Sequence, residues 1–416
     1  MKIFFLVLII LCIVACSDRK PRHTGELPVI DVIGNMNNLQ RVYMSDLFSS
    51  IELIPLETRE DCLLDFGNRP LLNDSIIIMI GDNFRRLFAF DRTTGEFLNQ
   101  IGGQGQGPQE FVRPGCTFFS INNPTVFVTD RGRFLEYNFN GRYIRSFQRP
   151  ELERGEILRF NHIGENLFIG SIGYMGDNEY KYFVIDDNGN IIQRFPNHIV
   201  FNMQGRWASS ATGSGSSISA RVDNRLYFNS SLNDTLFVFE NYTLQPAYIF
   251  DLGRSLPLEY LETRRTVENL GSIHFPNLQI FDNFVATPRF FFYDILVPLN
   301  RPERAQRTRM GGSLFFYGMY DRATGVNIIL DTDQHLQQGF VNDINGGLSF
   351  IPRFYAGNGE VVGVWNPEDM LELLTEEYFA SKTIRDPEAH QRLREVLRNL
   401  VWDDNPVIVV ATLKEN

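Results

Sequence analysis

A glycine-rich phrase is the part of this sequence whose residue types come nearest to a ligand site. Residues 102–107 read Gly-Gly-Gln-Gly-Gln-Gly, and Glu110 follows shortly after. Such a backbone can cradle a phosphate, but the phrase lacks both the Lys-Ser/Thr of a P-loop and the G-x-G-x-x-G pattern. It also opens no helix whose N-terminus could hold an anion. We therefore interpret it mainly as a close backbone crossing, with Gln104, Gln106 and Glu110 as candidate ligand-binding side chains.

The other polar groups lack the spacing of a catalytic or metal site. The phrases Asp331–Asp333 and Asp343–Gly346 resemble calcium loops without a closing bidentate Glu, and turn chemistry accounts for both. Gly213–Ser217 is not a nucleophile elbow, and the paired Asp403 and Asp404 are interpreted as solvated. The six histidines have no helical zinc spacing: His23, His162, His198, His274, His335 and His390. The sequence thus assigns no catalytic residue, metal ligand or cofactor, although spacing cannot reveal a site assembled from distant segments.

A repeated hairpin must position these candidates. In each copy, two strand-like runs are joined by a turn that contains glycine, and the first three of these glycines are 46 and 48 residues apart. The copies are Phe90–Phe97, Tyr137–Ile144, Ile185–Ile192 and Tyr320–Val326. Internal periods of about 40–50 residues built from strands indicate a β-propeller.

Four short strands can be drawn in each period. The first four units span residues 67–101, 116–147, 157–195 and 216–252, and a looser fifth spans 277–331. A helical segment is expected at Leu256–Leu270 and a long loop at Leu299–Gly312. The sixth unit begins with the predicted strands Gly347–Ile351 and Glu360–Trp365. A helical insertion follows at 366–400, and Asn405–Leu413 is the last strand.

The sixth unit lacks one strand, and the N-terminal run Ser50–Glu57 can supply it. Such pairing closes a propeller ring without an open seam, and Pro55 suits an outermost strand. We therefore predict an all-β fold, a six-bladed propeller of four-stranded antiparallel blades with a helical insertion in the last blade. A seventh blade would require residues 253–331 to form two blades. A β-sandwich with a helical domain would not explain the repeat.

The N-terminus has the pattern of a bacterial lipoprotein. A positive charge at Lys2 precedes an apolar run too short to span a bilayer, which ends in a lipobox-like Ile13–Cys16. We predict a signal peptide at 1–15, acylation of Cys16, a flexible tether at 16–40 and the propeller at 41–416. The alternative is an ordinary cleaved signal peptide with a chance cysteine. Acyl chains would attach the protein firmly to a membrane.

Net charge limits the class of binding partner, and cysteine content limits the disulfides that can form. The formal net charge of −11 disfavours nucleic acid, which needs a basic face. After processing and acylation, Cys62 and Cys116 would remain. An oxidising envelope permits a disulfide, but isolated cysteines are more often buried apolar residues. Their pairing stays open.

Several phrases resemble a known family, the six-bladed β-propeller lipoproteins of Bacteroides-type bacteria, which are similar in fold to NHL-repeat proteins. The phrases are Ile54–Thr58 with Cys62-Leu63, Ile101–Phe111, Asn342–Phe350 and Asp404–Val407. The resemblance implies an envelope lipoprotein with a propeller fold, and it transfers no catalytic motif. Surface-exported lipoproteins of such bacteria tend to carry an acidic run after the cysteine. Here only Asp18 precedes Arg19 and Lys20, so the membrane, the leaflet and surface display stay open.

Three functional hypotheses follow. We favour a non-catalytic binding or scaffolding propeller, with a glycan, peptide or protein at its mouth. A propeller hydrolase or lyase with a site in the central channel is the second, so enzymatic activity is undecided but not favoured. The third is an accessory subunit of an envelope complex that docks through the helical insertion. Phe290–Tyr293 are expected in the core, and their exposure near the mouth would favour sugar stacking.

Overall fold

Short strands follow one another along the described chain. The computed structural model describes residues 27–64, 70–83, 85–152, 157–172, 178–200, 217–230, 233–253, 278–298, 313–331 and 338–415. In chain order the strands are β1 (Val29–Asp31), β2 (Phe48–Pro55), β3 (Leu71–Leu72), β4 (Ile76–Gly81), β5 (Arg86–Asp91), β6 (Phe97–Ile101), β7 (Gly103–Gln104), β8 (Glu110–Phe111), β9 (Thr117–Phe119), β10 (Thr125–Asp130), β11 (Arg133–Asn138), β12 (Tyr143–Gln148), β13 (Ile157–Gly164), β14 (Leu167–Ile172), β15 (Tyr180–Asp186), β16 (Ile191–Pro196), β17 (Ser217–Val222), β18 (Arg225–Ser230), β19 (Asn233–Glu240), β20 (Thr243–Asp251), β21 (Gln279–Ala286), β22 (Phe290–Pro298), β23 (Ser313–Asp321), β24 (Val326–Ile329), β25 (Phe354–Gly357), β26 (Glu360–Trp365) and β27 (Val407–Leu413). The helices are a 3₁₀ turn at Ile33–Asn35, α1 (Met44–Leu47), α2 (Pro367–Leu373), α3 (Glu376–Ala380) and α4 (Pro387–Asn399).

Six antiparallel four-stranded sheets form the blades of a propeller, and in five of them the four strands are consecutive in the chain. Blades 1 to 5 are β3–β6, β9–β12, β13–β16, β17–β20 and β21–β24, and blade 6 is β25, β26, β27 and β2. The first strand of each blade lies innermost, because β9 contacts both β3 and β13, and β17 contacts both β21 and β25. The predicted all-β, six-bladed propeller is confirmed.

The two ends of the chain close the ring. Strand β2 is the outermost strand of blade 6 and pairs antiparallel with β27, with Ile51 opposite Ala411 and Pro55 opposite Val407. The predicted closure is therefore observed. Pro55 lies on an edge strand, where its missing N–H costs no ladder hydrogen bond.

The predicted first strand of blade 6, Gly347–Ile351, is wrong. The inner strand is β25, six residues further along, whose Phe354 pairs with Val362. Residues Leu348 and Phe350 are buried, as a strand would require, but the Phe350 backbone pairs with Phe340 in the crossing from blade 5. The apolar pattern of this segment correctly predicted its burial. Its backbone pairing was decided by Phe340, which the pattern does not indicate.

An N-terminal segment fastens three blades from outside. Strand β1 adds to β20 in parallel as a fifth strand of blade 4. Gln40 then bridges to Leu330 after blade 5, and the Met44 N–H donates to the Val341 carbonyl before blade 6. The tether predicted at 16–40 therefore gives way to paired backbone by Val29. The predicted signal peptide, Cys16 and the first part of the tether lie outside the described residues.

The predicted helical insertion is present as α2, α3 and α4. Asn366 precedes α2 with Pro367 in the first turn, but its amide donates to Asp369 instead of capping the helix. Asp386 does cap α4 by accepting from the Ala389 N–H. The apolar face of α4 is buried, and the helix contacts β2, so it covers the outer edge of blade 6.

In three of the four repeated hairpins, the glycine serves a contact between blades. Gly95, Gly141 and Gly189 have φ angles of 76°, 77° and 80°, which side chains disfavour. A Cβ at Gly141 would also lie 2.2 Å from the Gln100 carbonyl oxygen on the outer strand of blade 1. The corresponding distances are 2.0 Å to Pro55 for Gly95 and 2.9 Å to Gln148 for Gly189. These three turns therefore join neighbouring blades.

Aromatic side chains fill the spaces between blades. Between blades 2 and 3, the ring of Phe134 stacks on Phe147 and contacts Phe168 and Phe160. Phe290–Tyr293 are all buried, at 9% exposure or less. Their predicted place in the core is confirmed, so these four residues offer no platform for sugar stacking.

His162 is a buried imidazole between blades 2 and 3. Its Nδ1 accepts from the Ile121 N–H at 3.0 Å, and its Nε2 lies 2.9 Å from the Glu165 carbonyl oxygen. The neutral ring with the proton on Nε2 satisfies both partners. Burial lowers the pKa of His162, and the hydrogen bond to Glu165 offsets this only in part.

This histidine makes folding sensitive to acid. The unfolded chain binds the His162 proton at a higher pH than the folded chain, so the free energy of unfolding falls as pH drops below about 6.5. The free energy of unfolding changes by at most about 1.4 kcal/mol per pH unit, and the change stops once the pH is below the pKa of His162 in the folded chain. Chemical unfolding of wild type and His162→Gln between pH 7.5 and 5 measures it. We expect a shallower slope in the variant, and equal slopes would contradict the assignment.

Candidate functional site

Strand direction decides where the connections emerge. In an antiparallel blade, the connection from second to third strand and the connection to the next blade leave from the same end of the sheet. We call this end the long-connection face. It receives the crossings 102–116 and 330–353 and the insertion 366–400, whereas short hairpin turns occupy the other end. The predicted helical segment Leu256–Leu270 and loop Leu299–Gly312 lie outside the described residues.

The glycine-rich crossing is built around its own carboxylate. The Glu110 side chain accepts from the Gly107 N–H at 2.9 Å, and a Cβ at Gly105 would overlap it at 1.9 Å. Arg133 donates to the carbonyls of Gly107 and Glu110. These contacts support the structural interpretation of the phrase. Gln104 and Gln106 are exposed on the same crossing, and their role as ligand groups stays a prediction.

The phrase at 342–350 receives the helical insertion. Asp343 is 2% exposed and accepts from the Ser45 N–H at 2.9 Å and hydroxyl at 2.5 Å, and from Arg385 Nε at 2.6 Å. Burial by itself would raise the pKa of the Asp343 carboxyl, but the Ser45 and Arg385 hydrogen bonds outweigh it and hold that pKa below its ordinary value. The Asn345 carbonyl contacts His390 Nδ1 at 2.8 Å. These contacts of Asp343 and Asn345 support a structural role for the phrase and not a calcium-binding one. Of the other such phrase, only Asp331 is described.

An open cavity of about 730 Å³ adjoins this joint. Its walls come from the start of β2, the start of α4 and the end of the chain, and include Ser45, Arg385, Glu388 and Lys414. Acidic and basic side chains are mixed in this lining, so its charge selects no ligand class.

A hydrogen-bonded network joins the first two strands of blade 5 to the segment that leads into blade 6. Asp294 accepts from Asn283 Nδ2 at 3.0 Å and from an Arg353 guanidinium nitrogen at 2.9 Å. Asn283 also donates to the Pro352 carbonyl at 2.8 Å. Both Asp294 oxygens are engaged, so this acid joins blades. Within the part of the chain that the structure describes, no three His, Cys, Asp or Glu side chains are grouped to hold a metal ion.

The cysteines are separate. Cys62 and Cys116 form no disulfide, and the Cys62 thiol contacts the Glu57 carbonyl at 3.5 Å. Burial raises the pKa of both thiols, which disfavours the reactive thiolate. Both therefore behave as inert packing residues.

Asn405 joins the two chain ends on the long-connection face. Its Oδ1 accepts from the Leu64 N–H at 2.9 Å, and its Nδ2 donates to the Glu57 and Cys62 carbonyls at 2.7 and 3.0 Å. Its backbone N–H donates to the Thr58 hydroxyl at 2.9 Å. The side chain is 4% exposed. One amide therefore fixes the crossing into blade 1 against the segment that follows α4.

The two segments that this amide joins expose three large apolar side chains, which we call the Trp402 patch. They are Leu63, Val401 and Trp402, at 49%, 59% and 50% exposure. Val401 and Trp402 lie in a turn closed by the Asp404 carboxylate, which accepts from the Val401 N–H at 2.8 Å. Neighbouring exposed apolar residues such as Val401 and Trp402 mark interaction sites more often than single ones do.

No motif in the sequence predicted this patch. Asp403 and Asp404 were expected to be solvated, and Asp403 is indeed exposed. The available signal was the adjacent pair Val401-Trp402, two large apolar residues between a helix end and a turn, where polar residues are usual. The predicted ligand residues Gln104, Gln106 and Glu110 lie on another crossing of the same face.

Fold and surface together define a six-bladed propeller with a helical insertion in its last blade and an apolar patch at the seam. The chain belongs to the family described as "Domain of unknown function (DUF4934)", whose model matches residues 27–412. No curated protein matches it.

A solved structure shows a similar fold. A "Putative exported protein" from Bacteroides fragilis is 15% identical with a TM-score of 0.66, over 93% of this chain and 100% of that chain. A member of the DUF4221 family from Bacteroides vulgatus is 13% identical with a TM-score of 0.49, over 88% and 97% of the two chains. At such identities the first likeness bears on the fold alone, and the second carries no further argument.

Proposed function

We propose that this protein is a lipid-anchored protein of the bacterial cell envelope that acts as a non-catalytic binding or scaffolding propeller. The observation that carries the binding role is the Trp402 patch, an apolar surface that a buried amide holds in place on the long-connection face. The network between blade 5 and the segment that leads into blade 6 supports the non-catalytic role, because its carboxylate is already bound by Asn283 and Arg353.

Two observations support the envelope location. The sequence from Lys2 to Cys16 has the order of a lipoprotein signal, and a similar fold occurs in the protein from Bacteroides fragilis named as exported. Within the described ranges no helix is long and apolar enough to cross a membrane. An acylated Cys16 would supply the attachment.

The anchor is tested at Cys16. In the cells that produce the protein, we expect wild type to incorporate radiolabelled palmitate and sediment with membranes. Cys16→Ala should lose the label and the membrane fraction, because the thiol is the acylation site. Cys62→Ala is the matched control and should keep both. Unlabelled wild-type protein would refute the lipid anchor and leave the binding role untouched.

The binding role is tested with immobilised mature protein. Solubilised envelope proteins and envelope polysaccharides are passed over it separately, and we expect one class to bind saturably. Trp402→Ala should weaken that binding at least tenfold, whereas Ile192→Ala, which removes a side chain of 57% exposure in blade 3, should not. Turnover of a retained molecule, or a stoichiometric metal in the purified protein, would contradict the non-catalytic role.

A further inference from the structure

The Trp402 patch is preorganised. The turn that holds Trp402 is closed twice, since the Val401 N–H donates to the Asp404 carboxylate and the Asp404 N–H to the Val401 carbonyl. On the other side, the Cys62 N–H donates to the Arg59 carbonyl and closes the turn before Leu63. Asn405 binds both segments. Because these backbones are already ordered, a partner would not have to order them on binding.

The side chains of the patch favour a macromolecular ligand. Small molecules bind in concave sites that enclose most of their surface, and none of the three side chains lines the cavity beside Ser45 and Lys414. Half-exposed Trp, Val and Leu side chains are suited to enter a pocket on another protein, where Trp is a frequent hot-spot residue.

Charge around the patch narrows that partner. Turns 59–62 and 401–404 contain four carboxylates, Glu60, Asp61, Asp403 and Asp404, against one guanidinium, Arg59. Arg59 is already held by Asp61 at 2.7 Å. The rim is therefore acidic, and it complements a basic rim on the partner.

From this geometry we infer that the Trp402 patch docks into an apolar pocket with a Lys/Arg rim on a second, different envelope protein. This inference rests on the proposed binding role and specifies the class of its partner. The exposed aliphatic side chains Leu63 and Val401 favour a protein partner, because a protein pocket can bury their apolar surface together with that of the Trp. The outer face of α4, with Gln391, Arg392 and Glu395, is polar and contributes no comparable surface.

Site-specific photo-crosslinking in the producing cells tests the inference. Val401 is replaced by p-benzoylphenylalanine in the full-length chain, and Ile192, of similar exposure, is replaced in the matched control. We expect an adduct with one polypeptide at position 401 and none at 192. Mass spectrometry should place the crosslink in an apolar pocket bordered by Lys or Arg. Trp402→Ala should reduce the adduct at least tenfold and Asp403→Lys about threefold, whereas Trp402→Phe should retain part of it.

The possible outcomes separate this inference from the binding role. A crosslink to a second copy of the chain, to lipid or to glycan would overturn the inference, as would equal adducts at both positions. Saturable binding of polysaccharide to immobilised wild type would overturn it too, but would leave the binding propeller intact. Because the Trp402 side chain is half exposed, Trp402→Ala should fold, and a thermal melt within a few degrees of wild type confirms that the adduct was lost from the surface.

Discussion

Replacing Asn405 by Ala is expected to cost about 4 kcal/mol of unfolding free energy. The change removes the amide partner of three backbone groups in wholly or partly buried hydrogen bonds, the Leu64 N–H and the Glu57 and Cys62 carbonyls. Of these, the Glu57 carbonyl keeps only its contact with the Cys62 thiol. Each unsatisfied buried group costs about 1–3 kcal/mol, with partial relief if water enters. Chemical denaturation of the purified mature protein measures the loss. The Trp402 patch should also become mobile, since the Asn405 amide no longer holds it and only the turn closed by Asp404 remains.

Two further variants make this result specific. Asn399→Ala removes an amide that donates only to the Glu395 carbonyl within α4, and it should change stability by no more than about 0.5 kcal/mol. Asn405→Asp keeps the acceptor for Leu64 but turns an oxygen toward two carbonyls, so it should be at least as destabilising as Ala. Wild-type stability in Asn405→Ala would show that the seam does not depend on this amide.

The second large effect is expected at the repeated hairpin of blade 2. In Gly141→Ala, the new methyl group would meet the Gln100 carbonyl oxygen, and the residue would keep a φ of about 77°. We expect a loss of about 3 kcal/mol or more, from the backbone strain and the displaced outer strand of blade 1. The hydrogen bond from the Gly102 N–H to the Gly141 carbonyl should weaken as well.

Gly325 allows the cost of backbone strain to be separated from the cost of the clash with the neighbouring blade. Its φ is 73°, close to that of Gly141, but the nearest atom to an added Cβ is the Tyr320 hydroxyl at 3.8 Å. Gly325→Ala should therefore show the conformational cost alone, about 1 kcal/mol. Urea unfolding of both variants gives the difference. Equal losses would mean that blade contact contributes nothing at this turn.

Much of the fold could be predicted because its signals are local. The strands Arg86–Asp91 and Thr125–Asp130 lie within the units predicted at 67–101 and 116–147, and Val407–Leu413 begins two residues after the start of the predicted last strand. Such agreement is expected, since apolar runs between turn residues need no distant partner to be recognised. The failed strand, Gly347–Ile351, lies where the Phe340 backbone competes for pairing. Local pattern determined its burial correctly but could not determine its partner.

The candidate site, in contrast, depends on residues that are far apart in the sequence. Asn405 and Leu64 are 341 positions apart, and nothing in the spacing of either residue indicates the other. The phrases that carried the family resemblance, at 54–63 and 404–407, prove to be two halves of this one joint. They were recognisable as phrases, whereas their meeting was visible only in three dimensions.

By itself, the sequence determined the repeat, the number of blades and the shared last blade, because a two-residue alternation and a glycine turn are properties of neighbouring residues. Tertiary structure alone decided which irregular segments meet and which side chains they leave exposed. It turned the glycine-rich phrase into a packed crossing and made Trp402 the candidate contact. The physical reason is that burial and hydrogen-bond satisfaction are set by the residues that fold against a segment, and around this ring those residues come from both ends of the chain.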